Sequence, residues 1–406
     1  MQVVRSALHG VGGPLAGVRI LDLTHVVLGP LATQILADMG ADVVKVEPPE
    51  GDINRQTGPG RNPGMGALYL NINRNKRSIA LDLKHPGATD ILRRMVARAD
   101  VLVHNMRDRA ARSLGLDADS LRKVNPRLVH CSASGFGSAG PYADRPAFDD
   151  IIQGACGLAA AEGRADGTRR FSPALVADKT TGLTLAYAIL AALFARERSG
   201  EGQTVEVPML ETMVHFTMVD QMAGLTFDPP VGPGGHARSV QRRIYSTRDG
   251  HVAALPYTDR HWRAFFEATG QPELADDPRC ADAATRLRHM DWLLGLVAQA
   301  LAGMTTAEAL ERLGALDIPC TRVNSLEEVL DDPHIAAVGL VGRVDHPSEG
   351  AIRAVRSPVV FNGTCSPLGR PAPRLGEHGE EILRELGLTA SEIEAAFTSG
   401  AVRRPA

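Results

Sequence analysis

The sequence predicts an α/β protein, with an open, mainly parallel, Rossmann-like sheet in a large domain and a second, small α+β domain. Three observations carry that expectation. The chain has 406 residues, more than one hydrophobic core usually serves. Short apolar runs alternate with helical stretches through about the first two hundred residues. From Met213 to about Asn324 the composition changes, with a Gly/Pro-rich loop, a hairpin pattern and several short helices. The expected division is residues 1–212 for the first part of the large domain, 213–324 for the small domain and 325–406 for a return segment that completes the large domain.

In order along the chain, residues 17–23 read as a buried strand, 30–39 as a helix closed by Gly40, and 41–47 as a second strand. This is a βαβ unit. Glu47 at the end of the second strand suggests a dinucleotide site, but the intervening turn lacks G-x-G-x-x-G, and the Gly12-Gly13 pair precedes the first strand. An irregular loop fills residues 48–73, long enough to be functional. A strand is expected at 79–83, a helix at 87–99, and further strands at 101–103 and 128–132. In such sheets ligands lie beyond the carboxyl ends of strands, which here carry His25, Lys84, Asn105, Arg107 and Ser134.

Residues 132–142 form a small-residue loop (Ser-Ala-Ser-Gly-Phe-Gly-Ser-Ala-Gly-Pro-Tyr) whose backbone N–H groups could serve an anion; it does not spell G-x-S-x-G. Phe148 and Asp149 open the next helix. Residues 173–182 then deliver Asp178 to the mouth of an Ala/Leu-rich helix read over 183–198. Two roles fit a carboxylate there. It can cap the helix, with Thr180 and Thr181 as rival caps. It can also be a nucleophile kept ionised by free N–H groups and the helix dipole.

In the third region, residues 229–236 read as a linker loop, 244–256 as a hairpin around Arg248-Asp249-Gly250, and 259–268, 285–301 and 305–313 as helices. His236, Arg238, Arg242 and Arg243 form a basic run that suits a carboxylate ligand or a solvated surface. Strands are expected near 341–344 and 351–361, and a final helix with two alternative capping boxes, Thr389 with Glu392 or Ser391 with Glu394.

Composition narrows the partners. A net charge of −3 offers no field for nucleic acid or an anionic membrane. Five scattered cysteines without C-x-x-C or histidines at ligand spacing indicate neither a disulfide framework nor a metal site, which suits a reducing cytoplasm. The longest apolar run, 183–195, is too short to span a bilayer, and no apolar leader is read at the N-terminus.

Several motifs in order resemble the family III CoA transferases, the CaiB/BaiF group that includes formyl-CoA transferase. They are residues 14–23 (PLAGVRILDL), 40–47 (GADVVKVE), 75–84 (NKRSIALDLK), the Gly-Phe-Gly and Gly-Pro-Tyr loop, 200–203 (GEGQ), 318–320 (IPC) and 375–378 (LGEH). The resemblance covers about residues 14–388. It implies that Asp178 is the catalytic aspartate. Its carboxylate would attack a donor acyl-CoA to give a mixed anhydride and CoA thiolate, then an aspartyl-CoA thioester, and the acceptor acid would reverse the sequence. Oxyanions formed on the way imply N–H donors from a Gly-rich segment.

For coenzyme A or acyl-CoA, bound as substrate with no tightly held cofactor or metal, the resemblance implies contacts from Val27, Leu28, Leu81, Asp82, Leu83, Lys84, Asn105, Met106, Arg107, Phe148 and Asp149. Lys84 and Arg107 suit phosphate or adenine by charge. The chain departs from the family pattern at Met106, at Asp108-Arg109, at Ser113 (beside Arg112) and at Pro48. The resemblance further implies an interlocked homodimer, a return segment packed on the large domain, and a lid or linker role for residues 232–235. A small dicarboxylate such as succinate is the expected acceptor. Two alternatives are an α-methylacyl-CoA racemase-like isomerase, which would need a histidine where Phe148 stands, and a CoA-binding protein or thioesterase without transfer.

Overall fold

The computed structural model describes residues 13–163, 167–235, 243–366 and 368–405. Gly12 and three members of the basic run, His236, Arg238 and Arg242, lie outside them. The chain forms two compact units, one of residues 1–158, 171–217 and 337–406, the other of residues 159–170 and 218–336.

The first unit is built on β1 (Arg19–Leu23), α1 (Leu28–Asp38), β2 (Asp42–Glu47), α2 (Ala67–Ile72), β3 (Lys76–Ala80), α3 (Pro86–Val96), β4 (Val101–His104), α4 (Asp108–Ser113), α5 (Ala118–Val124) and β5 (Val129–Ser132). It continues through α6 (Asp149–Ala155), α7 (Leu158–Glu162, at the unit boundary), α8 (Val176–Ser199), β6 (Thr204–Glu206) and α9 (Met209–Gln221), which runs into the second unit. The six strands are all parallel, in the order β3-β2-β1-β4-β5-β6. That is the doubly wound Rossmann order, whose direction reverses between β1 and β4.

Alternation along the strands feeds two cores. Ile20, Val43, Val101 and Val129 pack with Leu28, Ala32 and Leu36 of α1 and Leu185 and Ile189 of α8. Leu21, Val44, Val46 and Leu102 face the other way, onto Ile91 and Met95 of α3 and the C-terminal residues Ile382, Leu383 and Ile393. At 24 residues α8 is long and apolar enough to cross a bilayer by length and composition, which the run at 183–195 did not suggest. Its inner face is nonetheless core, from Ala177 through Leu193.

Strand β3 starts three residues earlier than expected, at Lys76 rather than Ile79. Lys76, Arg77 and Ser78 are polar yet buried because each has partners: Lys76 with Asp22, Arg77 with Asp42, Glu381 and Glu385, and Ser78 with Glu47. A hydropathy pattern cannot register burial that depends on distant counter-charges.

The second unit holds β7 (Tyr245–Ser246), β8 (His251–Ala254), α10 (Asp259–Ala268), α11 (Ala283–Arg288), α12 (Met290–Ala302), α13 (Thr306–Ala315) and β9 (Cys320–Arg322), then α14 (Leu326–Leu330) and α15 (Pro333–Ala337). The expected hairpin is present and gains β9 as a third antiparallel strand. Its core gathers Tyr245, Trp262, Phe265, Phe266, Leu293 and Val297. The helix expected at 285–301 breaks at His289 into α11 and α12. Back in the first unit, β10 (Val341–His346) pairs antiparallel with β11 (Gly350–Val355), followed by the short pair β12 (Val360–Phe361) and β13 (Thr364–Cys365). The last helices are α16 (Gly379–Glu385) and α17 (Ala390–Thr398). Of the two candidate capping boxes, Thr389 with Glu392 forms.

Candidate active site

The strand order places a crevice beyond the carboxyl ends of β1 and β4, and the backbone there is held on every side. Asn105, just after β4, takes both polar groups of His25: the His25 N–H donates to Oδ1 at 2.9 Å and Nδ2 donates to the His25 carbonyl at 2.8 Å. Val26 has φ +69°, an unfavourable conformation for a β-branched residue. Its N–H donates to Asp52 Oδ1 at 3.2 Å and its carbonyl accepts from Asn54 Nδ2, so the turn is fixed from outside.

Beneath this turn lies a buried ionic network. Lys45 Nζ bonds the Thr24 carbonyl at 2.9 Å and Asp52 at 3.0 Å, and Lys76 Nζ bonds Asp22 at 2.9 Å and the Pro30 carbonyl at 2.8 Å. Burial alone would raise the Asp22 carboxyl. The Lys76 and Lys45 charges and the Thr24 and Thr33 hydroxyls outweigh it and hold Asp22 well below the usual range. Beside it, burial and then the Lys45 charge push the His25 imidazole down.

The other residues named from sequence spread along the same sheet edge. Val27 and Leu28 bury their side chains, and α1 starts without a side-chain cap, so their outward-facing chemistry is backbone. Leu81 is buried and bridges to Val402, while Asp82 Oδ1 accepts the Lys84 N–H at 3.0 Å, forming a turn with Leu83 half-buried and Lys84 exposed. Met106 is half-buried on the core, and Arg107 is exposed, reaching the Asp144 carbonyl at 3.3 Å. Arg112, the candidate substitute for a basic residue, pairs with Asp108 in its own helix at 2.7 Å. From β1 to β3 is two strand spacings, about 10 Å, a span that one CoA-sized ligand can bridge.

Asp178 stands in the first turn of α8, two turns further into the helix than the apolar pattern suggested. The N-cap is Leu175, without a side-chain cap, so Asp178 is no cap. The hydroxyl of Thr181 bonds the Ala177 carbonyl, and Thr180 likewise lies within the helix. The Asp178 backbone N–H donates to Oδ1 of Asp149 at 3.0 Å, so the first residue of α6 supplies the cap from another helix. Phe148, just before it, is 65% exposed.

Asp178 is only 7% exposed. Burial first, and then the Asp149 charge, raises its carboxyl to about 7. This reverses the expectation that the helix start keeps it ionised. A helix dipole is worth ~0.3–1 kcal/mol at a terminus, too little against desolvation plus a like charge.

Gly182, one turn later, sets the depth of α8 against α1: a Cβ there would lie 2.7 Å from the Leu28 carbonyl oxygen. Alanine normally favours a helix over glycine by ~1 kcal/mol. Gly182→Ala is nevertheless expected to destabilise, by about 1–3 kcal/mol, because a backbone carbonyl must move. Urea denaturation checks the sign; a more stable variant would show that the close approach is unimportant.

Two N–H groups of the small-residue loop at 132–142 are not free for an anion. Gly137 N–H donates to Glu211 Oε1 at 2.9 Å, and Ser138 N–H to Glu206 Oε1 at 2.7 Å, so two of its donors are already taken by carboxylates. A Cβ on Gly137 would sit 2.4 Å from Glu211, which explains glycine there as close packing. Asp52, Asn54, Gln153, Glu206 and Glu211 were not singled out from the sequence; Glu206 and Glu211 meet partners about seventy positions away, and the i, i+4 spacing of Asp149 and Gln153 is a local signal that could have found a member of the set.

Within the second unit, a cavity of about 810 Å³ opens over the three-stranded sheet, lined by Tyr245, Leu255, Tyr257, Trp262, Pro319 and Cys320 among others. Arg243, the one described member of the basic run, lines it and pairs with Asp291 at 3.0 Å. Residues 232–235 fold back on the end of α9, with Gly224 N–H bonded to the Pro233 carbonyl at 3.2 Å and Gly235 N–H to the Gln221 carbonyl at 2.6 Å.

Residues 15–379 match the CoA-transferase family III. The chain is 37% identical to the succinate–glutarate CoA-transferase of Agrobacterium fabrum, over 92% of this chain and 96% of that protein. It is 35% identical to the formyl-CoA:oxalate CoA-transferase of Streptomyces avermitilis, over 96% and 99%. A CaiB/BaiF family protein from Brucella suis has a crystal structure that superposes with a TM-score of 0.80 at 31% identity, covering 93% of this chain and all of that one. The six-stranded parallel sheet, its switch-point turn and this similarity along nearly the whole chain agree: the protein belongs to CoA-transferase family III.

Proposed function

We propose that the protein moves CoA from a donor acyl-CoA to a small carboxylic acid, with Asp178 as the covalent nucleophile. The observation that carries this reading is a buried carboxylate in the first turn of α8, the helix that packs closely on α1, held at its backbone by Asp149 and left free at its side chain to attack. The ionised Asp178 oxygen attacks the thioester carbonyl. The C–S bond breaks, leaving an aspartyl acyl anhydride and CoA thiolate. The thiolate attacks the aspartyl carbonyl and expels the donor acid; the acceptor carboxylate then attacks the aspartyl-CoA thioester, and thiolate returns to the new anhydride. Burial keeps water from the anhydride, and retained CoA acts at high effective concentration.

The CoA would lie along the sheet edge on Val27, Leu28, residues 81–84, Asn105, Met106, Arg107, Phe148 and Asp149. The named activities of the relatives support a dicarboxylate such as succinate, glutarate or oxalate as acceptor. A cytoplasmic enzyme with residues 213–324 as its acid-selecting domain completes the reading. A homodimer is supported by the apolar side chains that α8 and α9 leave exposed, Leu183, Tyr187, Phe194 and Phe216. Isomerisation is disfavoured because Phe148, carrying no exchangeable proton, occupies the place of the imidazole.

Trapping tests the reading. Protein incubated with succinyl-CoA and quenched with hydroxylamine should carry a hydroxamate at Asp178, located by peptide mass, and the yield should rise with pH through about 7 as Asp178 ionises. Exchange of the substrate α-proton without an adduct would establish isomerisation. Acyl-CoA hydrolysis without an adduct would establish a thioesterase.

A further inference from the structure

We propose that Gln153 is a positioning residue that fixes the Asp149 carboxylate against the first turn of α8 and so keeps its charge beside Asp178. Gln153 lies one turn after Asp149 on α6 and has no exposed surface. Its carboxamide makes a two-point pair with the backbone of Ser172: Oε1 accepts the Ser172 N–H at 2.9 Å, and Nε2 donates to the Ser172 carbonyl at 3.3 Å. That pair decides which end of the amide is which, since the flipped group would set donor against donor and acceptor against acceptor. The Nε2 group is therefore the end that reaches Asp149, and it donates to Oδ2.

Oδ1 of Asp149 is taken by the Asp178 backbone N–H at 3.0 Å. Each oxygen of Asp149 thus accepts from an N–H, in a side chain only 4% exposed. Losing either bond would leave a buried oxygen without its partner, so the carboxylate is fixed in place against α8. Asp178 has no such support. Its ionisation is governed by burial and by the Asp149 charge alone. The chain neighbours Asp150 and Lys179 are exposed, and the first turn of α1, packed on α8, contains no charged residue. The link runs from the Ser172 backbone through Gln153 and Asp149 to Asp178, and it spans the segment that enters the catalytic helix.

The catalytic consequence rests on the reading of Asp178 as nucleophile: Gln153 then sets the pH at which the nucleophile becomes available. Gln153→Met keeps the length and removes both donors. With aspartate carboxyl carbons labelled and the two signals assigned through Asp149→Asn and Asp178→Asn, an NMR titration follows both groups directly. In the parent, Asp178 should titrate near neutrality. In Gln153→Met, the Asp178 midpoint should fall by about one pH unit, because the Asp149 carboxylate loses its fixed place beside it. The pH for half-maximal adduct formation should fall with it. Asp149→Asn should lower the Asp178 midpoint by itself, and adding Gln153→Met to that variant should produce no further change.

Unchanged titrations with activity reduced equally at every pH would overturn the proposal and leave Gln153 a packing residue. Additive shifts in the double variant would overturn it too. Titrations that respond to Gln153 in a protein forming no adduct at Asp178 would uphold the positioning and defeat the nucleophile assignment, so the two failures are distinct.

Discussion

Asp178→Asn is expected to reduce CoA transfer by about 10³–10⁶-fold, the range in which loss of a covalent nucleophile falls, while CoA binding measured by calorimetry stays within a few-fold. An amide is nearly isosteric but cannot form the anhydride. The same variant is expected to be more stable than the parent at alkaline pH. Asp178 is raised from 3.8 to about 7 in the folded protein, by burial and by Asp149. In the unfolded chain it ionises near its ordinary value, ~3.9. The folded state therefore binds the proton more tightly, and this contribution is present in full below about pH 4 and is lost as pH rises through 7.

Above that pH the parent carries a buried charge beside Asp149 that Asp178→Asn lacks. The stability gain should be negligible at pH 4, grow between pH 4 and 7, and level at about 2–4 kcal/mol above it. Urea denaturation at pH 5 and pH 8 reads the difference. An active Asp178→Asn enzyme would refute the nucleophile, and a gain equal at both pH values would refute the buried-charge account.

The second large effect lies under the switch-point turn. Lys76→Met is expected to destabilise by about 3–5 kcal/mol, a large share of the 5–15 kcal/mol that holds an ordinary protein folded. Lys76 and Asp22 are both fully buried. Removing one leaves the other as a buried charge with its main counter-ion gone, although Asp22 retains the Lys45 field and the Thr24 and Thr33 hydroxyls. Much of the cost is that orphaned charge rather than the net worth of the pair. Asp22→Leu combined with Lys76→Met should therefore recover a substantial part of the loss, which a double-mutant cycle measures.

The acid limb carries the same information. The folded-state Asp22 carboxyl lies below its ordinary value, so its contribution is present at neutral pH and disappears as the solution is acidified below about 4. Lys76→Met should flatten that limb. A loss smaller than about 1 kcal/mol would show that the network has little energetic role.

The doubly wound sheet was legible in the residues because it is written in local patterns. Runs such as Arg-Ile-Leu-Asp-Leu at 19–23 and Val-Val-Lys-Val at 43–46 must lie in a sheet covered on both faces, and the intervening helix closed by Gly40 makes the connection. Asp178 stood out through motif resemblance and its place near a helix start, and the residues of the sheet edge through their position after strands. These are properties of sequence neighbours, and sequence alone determined them.

What tertiary structure decided is the chemistry of those positions. Asp178 reads as an ionised cap until Asp149, 29 positions earlier, takes its backbone N–H and adds a like charge inside a buried site. Lys76 reads as a strand-breaking charge until Asp22, 54 positions away, receives it. The N–H groups of Gly137 and Ser138 read as free donors until Glu211 and Glu206 take them. Desolvation and Coulomb energies depend on which groups meet at a few ångströms, and separation along the chain carries no such information.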